Sequence, residues 1–318
     1  CDISGSNILV RVKGKASIRI IDVDNLYVAG KGIATVSGTP RYIAPEILNS
    51  QRNPDVITDN YSLAVILFEL LRVGHPYIGD DVLRGTPEDE NSALLGNRPY
   101  VTEENSHYML PSNAVFTDRL AKLFERCFID GKDNRMARPS AREFELALLE
   151  ASNETIRCPH CGAWHYARKI NNSYLVCPWC DAPSKPRAKL DFYDCLTEGY
   201  DYASSRLVRG KLRQTYVSTY ILREGTNAIK GFYVQRHRDV EDDSELTKNY
   251  LFIRFKDRRF VADVMGEGRN IILQRRSTNR FEVFERRKEY VLEDGDRLFL
   301  DEQVEAPIKV DGKSYYIA

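Results

Sequence analysis

A carboxylate, a carboxamide and a second carboxylate stand near the start of the chain at a spacing that a hairpin closes. Asp2 precedes Asn7 by five residues, and Asp22 follows two apolar runs, Ile8-Leu-Val-Arg-Val and Ile18-Arg-Ile-Ile, set on either side of Lys13-Gly14-Lys15. β-Branched residues flanking a glycine turn predict two antiparallel strands, and the resulting hairpin brings Asp22 back toward Asn7. Oxygen donors gathered in this way suit a hard divalent cation. Taken singly, Asp2 and Asn7 read equally well as turn residues and Asp22 as the end of a strand, so the ordered continuation of the sequence decides.

That continuation is specific. Gly38-Thr-Pro-Arg-Tyr-Ile-Ala-Pro-Glu46 comes next, then Asp59-Asn-Tyr-Ser-Leu63 opening an apolar run through Leu67, Leu70 and Leu71, then His75-Pro76-Tyr77, and finally Arg138 before Pro139. Together these residues resemble the C-lobe of a bacterial-type Ser/Thr protein kinase, entered at its catalytic loop and covering residues 1–151. The resemblance implies ATP and Mg²⁺ as cofactors and a protein hydroxyl as acceptor. By the same resemblance Asp2 orients or deprotonates that hydroxyl, Asn7 and Asp22 hold the metal, and Thr39 contacts the catalytic loop and lines the acceptor site. Glu46 is expected to pair with Arg138, and Asp59 to cap the catalytic-loop backbone; taken only locally, Asp59 reads as a helix N-cap. A Gly-rich phosphate loop and a strand lysine are expected ahead of Cys1, so the chain reads as a fragment, inactive by itself.

Three positions depart from the family pattern. Cys1 stands where an arginine would pair with an activation-loop phosphate, Ser4 where a lysine would face the transferred phosphate, and Val23-Asp24 where Phe-Gly would follow the metal-binding Asp22. The alternative to a phosphoryl-transferring enzyme is therefore a pseudokinase scaffold or signalling adaptor that binds partners through its other domains. Thr35 and Ser37 lie in the activation segment and read as either phosphorylation sites or solvated loop.

Residues 152–186 carry Cys158-Pro-His-Cys161 and Cys177-Pro-Trp-Cys180, separated by fifteen residues. Two Cys-x-x-Cys knuckles at this spacing predict a zinc ribbon in which Cys158, Cys161, Cys177 and Cys180 saturate one Zn²⁺, a closed and hence structural site. The residues from Tyr166 to Val176 are expected to form the ribbon hairpin. A redox role for the pairs is the competing chemistry. His160 and His165 read as exposed knuckle residues rather than ligands, and Cys127 and Cys195 as ordinary thiols. Trp164, Trp179, Arg157, Arg168 and Lys169 offer an aromatic and basic surface, although a spacer or protein-docking role is the simpler expectation.

From 187 to 318 the pattern turns to short alternating runs, Tyr250-Leu-Phe-Ile-Arg-Phe, Phe260-Val-Ala-Asp-Val, Phe281-Glu-Val-Phe and Arg297-Leu-Phe-Leu, divided by Gly, Asp and Asn signals. This predicts an all-β sandwich. Leu222-Arg-Glu-Gly225, Ser277-Thr-Asn279 and Leu292-Glu-Asp-Gly-Asp-Arg-Leu-Phe-Leu resemble a forkhead-associated domain, without its phosphate-contacting Gly-Arg and Ser-x-x-His. Arg254, Lys256, Arg258, Arg259, Arg275 and Arg276 are candidates for an anion-binding face, against a solvated strand face. The fold class is thus a multidomain α+β chain: mainly helical lobe, small ribbon and β sandwich. Lys plus Arg and Asp plus Glu balance at 46 each, so no global field points to nucleic acid, and protein partners are expected for both the lobe and the β domain. The most apolar run, Tyr61 to Leu71, is interrupted by Ser62 and Glu69 and predicts no membrane span. Paired cysteines in this pattern fit a reducing compartment, the cytoplasm.

Overall fold

The computed structural model describes residues 2–13, 17–22, 38–49, 52–167, 176–197, 200–201, 206–207, 212–231, 248–264, 271–300, 306–310 and 313–317, with the backbone alone at 194–197, 200–201, 206–207, 212–217, 306–310 and 313–317. Two compact units divide the chain, Cys1–Ser184 and Lys185–Ala318.

The first unit opens on a single helical turn, Gly5–Asn7, and a hairpin of β1 (Ile8–Arg11) and β2 (Ser17–Ile20), paired antiparallel from Ile8 opposite Ile20 to Arg11 opposite Ser17. A short turn, Pro40–Tyr42, leads to α1 (Pro45–Leu48) and then to α2 (Val56–Arg72). Helix α2 buries Tyr61, Ser62, Ala64, Val65, Ile66 and Phe68, residues that run round its circumference, which makes it a central helix and not an amphipathic surface one. Its N-cap is Asp55, whose carboxylate accepts from the Ile57 and Thr58 amides at 2.9 and 3.1 Å while the Thr58 hydroxyl accepts from the Asp55 amide at 2.9 Å. Asp59 lies inside the first turn, so the local reading of Asp59 as the cap is corrected: Asp55 has the extended backbone that a cap requires.

The single-turn helices α3 (Asp80–Leu83) and α5 (Ser112–Val115) and the eight-residue helices α4 (Pro87–Leu94) and α6 (Asp118–Glu125) come after α2. A π turn at Arg126–Asp130 and α7 (Gly131–Asp133) follow, and α8 (Ala141–Asn153) closes the helical part. Ser140 caps α8 through a reciprocal pair with Glu143, which leaves Pro139 ahead of the cap and not in the first turn. Aromatic rings fill the centre: Phe68 meets Phe124 edge-on at 5.2 Å and Tyr61 meets Phe128 at 5.5 Å. Such contacts add about 0.5–1.5 kcal/mol each beyond burial. Strands β3 (Thr155–Arg157) and β4 (Trp164–Tyr166) pair antiparallel after α8 and enclose the first cysteine knuckle.

The second unit is built of strands. β5 (Ala188–Thr197) is followed by the short β6 (Tyr200–Asp201) and β7 (Arg206–Leu207) and pairs with β8 (Leu212–Leu222). Next come β9 (Thr226–Lys230), β10 (Asn249–Lys256), β11 (Arg259–Asp263), β12 (Ile272–Gln274), β13 (Phe281–Val283), β14 (Tyr290–Leu292) and β15 (Arg297–Phe299), with β16 (Ala306–Val310) and β17 (Lys313–Ile317) as a final pair. They form a four-stranded sheet in the order β14-β11-β10-β9 and a three-stranded sheet in the order β13-β12-β15. One core takes residues from both sheets, including Ile229, Leu251, Ile253, Ala262, Leu273 and Tyr290. The β10–β11 turn places Asp257 and Arg258 at φ 49° and 63°, the left-handed pair that a two-residue hairpin turn demands.

Candidate active site and metal centre

The turn at Gly5–Asn7 folds residues 2–7 back on themselves. The Asn7 amide nitrogen donates to the Ser4 carbonyl at 3.1 Å, and its side-chain Nδ2 donates to the Asp2 carbonyl at 2.9 Å. With Nδ2 committed, Asn7 keeps its Oδ1 as an acceptor. At the far end of the hairpin the Ile21 amide donates to the Asn7 carbonyl at 2.9 Å, and Asp22, an exposed residue, follows that contact by one position. Asp22 has φ 56°, a left-handed conformation uncommon outside glycine, asparagine and aspartate. From the other side, the Thr39 amide donates to Asp2 Oδ1 at 3.1 Å, closing segment 38–46 onto the loop. Val23, Asp24, Thr35 and Ser37, like Cys1, lie outside the described residues.

Ser4 is fully buried, with its hydroxyl 2.9 Å from that of Ser6. It therefore faces the interior of the loop and presents neither charge nor hydroxyl to a bound phosphate.

Segment 38–46 is tied down along its length. The Tyr42 hydroxyl donates to Glu69 at 2.8 Å, and the Ser62 hydroxyl donates to the Tyr42 carbonyl at 2.7 Å. Burial, then the bond to Glu69, raises the Tyr42 phenol above its ordinary value and keeps it a donor. Ser62 and Glu69 are the two polar residues that interrupt the apolar run of α2, and each serves Tyr42. That interruption was the available signal; its meaning depends on the tertiary partner. His75 Nε2 lies 2.8 Å from the Arg41 carbonyl, and burial lowers this imidazole to about 4, so it is neutral at physiological pH.

Arg138 reaches Glu46 through two parallel hydrogen bonds, Nη1 to Oε1 at 2.7 Å and Nη2 to Oε2 at 2.8 Å, while its Nε donates to the Gly131 carbonyl at 3.0 Å. The guanidinium lies 5.0 Å above the Tyr61 ring. Burial alone would raise the Glu46 carboxyl, but the Arg138 bonds outweigh it and hold it below its ordinary range. Arg135 joins this network, approaching Glu46 at 3.4 Å and pairing with Asp55, a link the sequence did not suggest. Asp59 is half-buried, and burial raises its carboxyl.

The four cysteines converge. Their sulfurs all lie within 4.8 Å of one another, with Cys158 and Cys180 at 3.8 Å and Cys161 and Cys177 at 3.7 Å. A tetrahedral zinc ion with Zn–S near 2.3 Å requires sulfur–sulfur edges of about 3.8 Å, so the donor set fits that ion. The two knuckles repeat one geometry. Gly162 donates to the Cys158 carbonyl at 3.0 Å and Asp181 to the Cys177 carbonyl at 2.9 Å, with φ of 75° and 56°. The Cys161 amide and the His160 amide lower the Cys158 thiol to about 6. At Cys180 the Ala182 amide pulls the thiol down, but burial and the adjoining sulfurs outweigh it and push it up to about 12. A dication held by the four sulfurs would relieve that crowding of thiolates.

One expectation about the ribbon changes. His160 is exposed, but His165 is buried, its Nε2 2.9 Å from the Ser184 hydroxyl and its Nδ1 2.9 Å from the Tyr166 carbonyl. The described hairpin flanks the first knuckle, while the one expected from Tyr166 to Val176 falls on 168–175, which lie outside the described residues, Arg168 and Lys169 included. Trp164 and Trp179 are both exposed, with Trp179 Nε1 donating to the Trp164 carbonyl at 3.1 Å. Cys127 is a buried free thiol that burial pushes up to about 12, and Cys195 is described by its backbone alone.

In the second unit the candidate cations are largely internally matched. Arg254 pairs with Asp263, Lys256 with Glu289 at 3.0 Å, and Arg275 with Glu282 and Asp296 at 2.7 and 3.0 Å. Asp296 also accepts from the Arg276 and Glu293 amides at 3.1 and 3.0 Å, which ties the 275–280 turn to the 293–296 turn.

Comparison with known proteins agrees with the geometry of the first unit. Residues 1–145 match the protein kinase domain family. NUAK family SNF1-like kinase 2 from Homo sapiens is 35% identical over 80 residues, covering 25% of this chain and 13% of that protein. CBL-interacting serine/threonine-protein kinase 21 from Arabidopsis thaliana is 33% identical over 82 residues, 26% of this chain and 20% of that protein. Developmentally-regulated protein kinase 1 from Dictyostelium discoideum is 27% identical over 129 residues, 40% of this chain and 18% of that protein. The chain thus spans a fifth or less of the length of these relatives. Among the described residues no helix is long and apolar enough to cross a membrane. Residues 1–145 accordingly match a portion of a protein kinase domain, and they are followed in the same chain by a four-cysteine cluster suited to a metal ion and by a unit of small sheets.

Proposed function

We propose that the protein transfers the γ-phosphoryl group of ATP to a serine or threonine hydroxyl of a protein substrate in the cytoplasm. The observation that carries this reading is the closed contact of Thr39 with Asp2, beside an Asn7 whose side chain is itself fixed to the Asp2 backbone. Asp2 orients the acceptor hydroxyl and takes its proton as the hydroxyl oxygen bonds to phosphorus and the bridging oxygen leaves with the diphosphate. Asn7 Oδ1 and the exposed Asp22 carboxylate are hard oxygen donors of the kind Mg²⁺ takes, and the ion supplies positive charge against the phosphate oxygens. Thr39 lines the acceptor site, and Glu46 and Arg138 hold segment 38–46 in place without entering the chemistry.

Zn²⁺ fits the four thiolates as a closed structural site, since four protein ligands leave no position for water. The β unit serves as a protein-interaction module. The internal pairing of Arg254 and Arg275 favours general protein docking over phosphate reading at those side chains.

The test is transfer from radiolabelled ATP by the full-length protein and by its Asp22→Ala variant. Incorporation should fall at least 100-fold in the variant, and equal incorporation in both would sink the assignment. One observation favours a second reading, a pseudokinase scaffold. Buried Ser4 leaves the loop without the cation that Ser/Thr kinases direct at the transferred phosphate. A wild-type protein that binds partners but transfers no phosphate, with any preceding residues of the gene present, would establish that reading instead.

A further inference from the structure

The zinc reading leaves open what the ribbon is for, and its contacts run inward. Helix α8 buries Phe144, Ala147 and Ala151 in the kinase core and ends at Asn153; Cys158 follows five residues later, with no linker between. The Glu154 amide still bonds to the Glu150 and Ala151 carbonyls, and the Glu154 carbonyl accepts from the Ala167 amide at 2.7 Å, across the hairpin. Tyr166, at the end of β4, packs against the same core, and its hydroxyl donates to the Val115 carbonyl at 3.1 Å, at the end of α5.

The hairpin that makes these contacts is small. It has three residue pairs, Thr155 with Tyr166, Ile156 with His165 and Arg157 with Trp164. A two-stranded piece of that size does not hold itself in water. The knuckle it encloses contains Cys158 and Cys161, so a metal ion fixes the loop that joins the two strands.

The other end of α8 leads to the acceptor segment. Glu143 in its first turn accepts from Arg126 at 2.6 Å, and Arg126 Nε donates to the Ala137 carbonyl at 2.8 Å, next to Arg138 and its pair with Glu46.

We propose that the ribbon is the terminal buttress of the kinase portion. Zinc closes the β3–β4 hairpin, the hairpin seats Tyr166 on Val115 and secures the last turn of α8, and metal occupancy thereby sets the local stability of the helical lobe. Metal binding and folding are then one equilibrium over the whole first unit and not a property of the ribbon alone. This inference rests on the reading of the four cysteines as a zinc site.

The test is amide hydrogen exchange on the full-length protein, zinc-loaded and chelator-stripped, with metal content measured in parallel. Metal removal should speed exchange at least tenfold in peptides covering 141–153 and 110–128, while 226–230 and 249–263 stay unchanged. Acceleration confined to 154–184 would overturn the proposal. A Tyr166→Ala variant separates docking from metal binding: it should retain about one zinc per chain and still show faster exchange at 110–128. Full zinc with unchanged exchange there refutes the buttress. A wild-type protein that binds no zinc defeats the metal reading itself and the inference with it, a result the metal analysis reports independently of exchange.

Discussion

Replacing Arg138 by methionine keeps most of the side-chain volume and removes the charge. The guanidinium is 1% exposed and makes two hydrogen bonds to Glu46 and one to Gly131, so the variant strands a carboxylate that is itself only 12% exposed. Breaking one side of a buried ion pair costs about 3–5 kcal/mol. Arg135, 3.4 Å from Glu46, remains as a partial partner and pulls the expectation to the lower end, about 3 kcal/mol. At roughly 2–4 °C per kcal/mol for a unit of this size, Tm should fall by about 6–12 °C. Adding Glu46→Gln to the variant removes the stranded charge, so the double variant should recover part of the loss, with a coupling energy of about 2 kcal/mol.

The assay is urea denaturation of wild type, both single variants and the double variant, followed by fluorescence. Both tryptophans of this sequence, Trp164 and Trp179, lie in the first unit, so the signal reports on the unit that contains the pair. The pH dependence gives an independent check. The Glu46 carboxyl is held below its ordinary 4.5 in the folded protein. Its contribution is complete above that value and is lost as pH falls from 4.5 through the folded value. Arg138→Met should flatten this acid limb. A cost under about 1 kcal/mol, or strictly additive single variants, would refute the account of the pair.

Three further outcomes follow from the geometry. His75 is neutral and buried with its folded value near 4 against 6.5 unfolded, so stability should decline as pH falls from about 6.5 to about 4, by about 3 kcal/mol in all; a His75→Gln variant with an unchanged profile in that window would disprove this. Tyr42→Phe removes the bond to Glu69 and should cost about 1–2 kcal/mol, with slower phosphoryl transfer, measured by denaturation and by radiolabel incorporation. Elemental analysis should find about one zinc per chain in wild type and none in Cys177→Ser; retention of the metal by the variant would mean that three sulfurs and another donor suffice.

The parts of this fold that short segments specify are readable from the residues. The β1–β2 hairpin follows from β-branched runs around Lys13-Gly14-Lys15, and each cysteine knuckle from its own Cys-x-x-Cys turn. The strands of the second unit follow from alternation, as in β10. What short segments cannot carry is the partner of a polar side chain. Asp55 and Asp59 both suit a helix start, and only the backbone conformation selects Asp55. Ser62 and Glu69 look like blemishes in an apolar run until Tyr42 stands beside them. Similarly, the cations of the second unit read as a free basic face because Asp263, Glu282, Glu289 and Asp296 come from other strands and turns. The seating of Tyr166 on Val115 spans 51 residues and leaves no periodic trace in the sequence.

The Glu46–Arg138 pair also bears on how the chain is made. The two residues are 92 apart, and Arg135, which serves both Glu46 and Asp55, is 80 beyond Asp55. At about 5–20 residues per second, a ribosome takes roughly 5–18 s to travel from the carboxylates to the arginines that neutralise them. During that interval Tyr42 already has Ser62 and Glu69 of α2 as partners, so the segment ahead of α2 is held at its middle while Glu46 at its end still lacks an arginine. The rate of translation between 55 and 135 therefore sets how long these two carboxylates stand without their guanidinium partners.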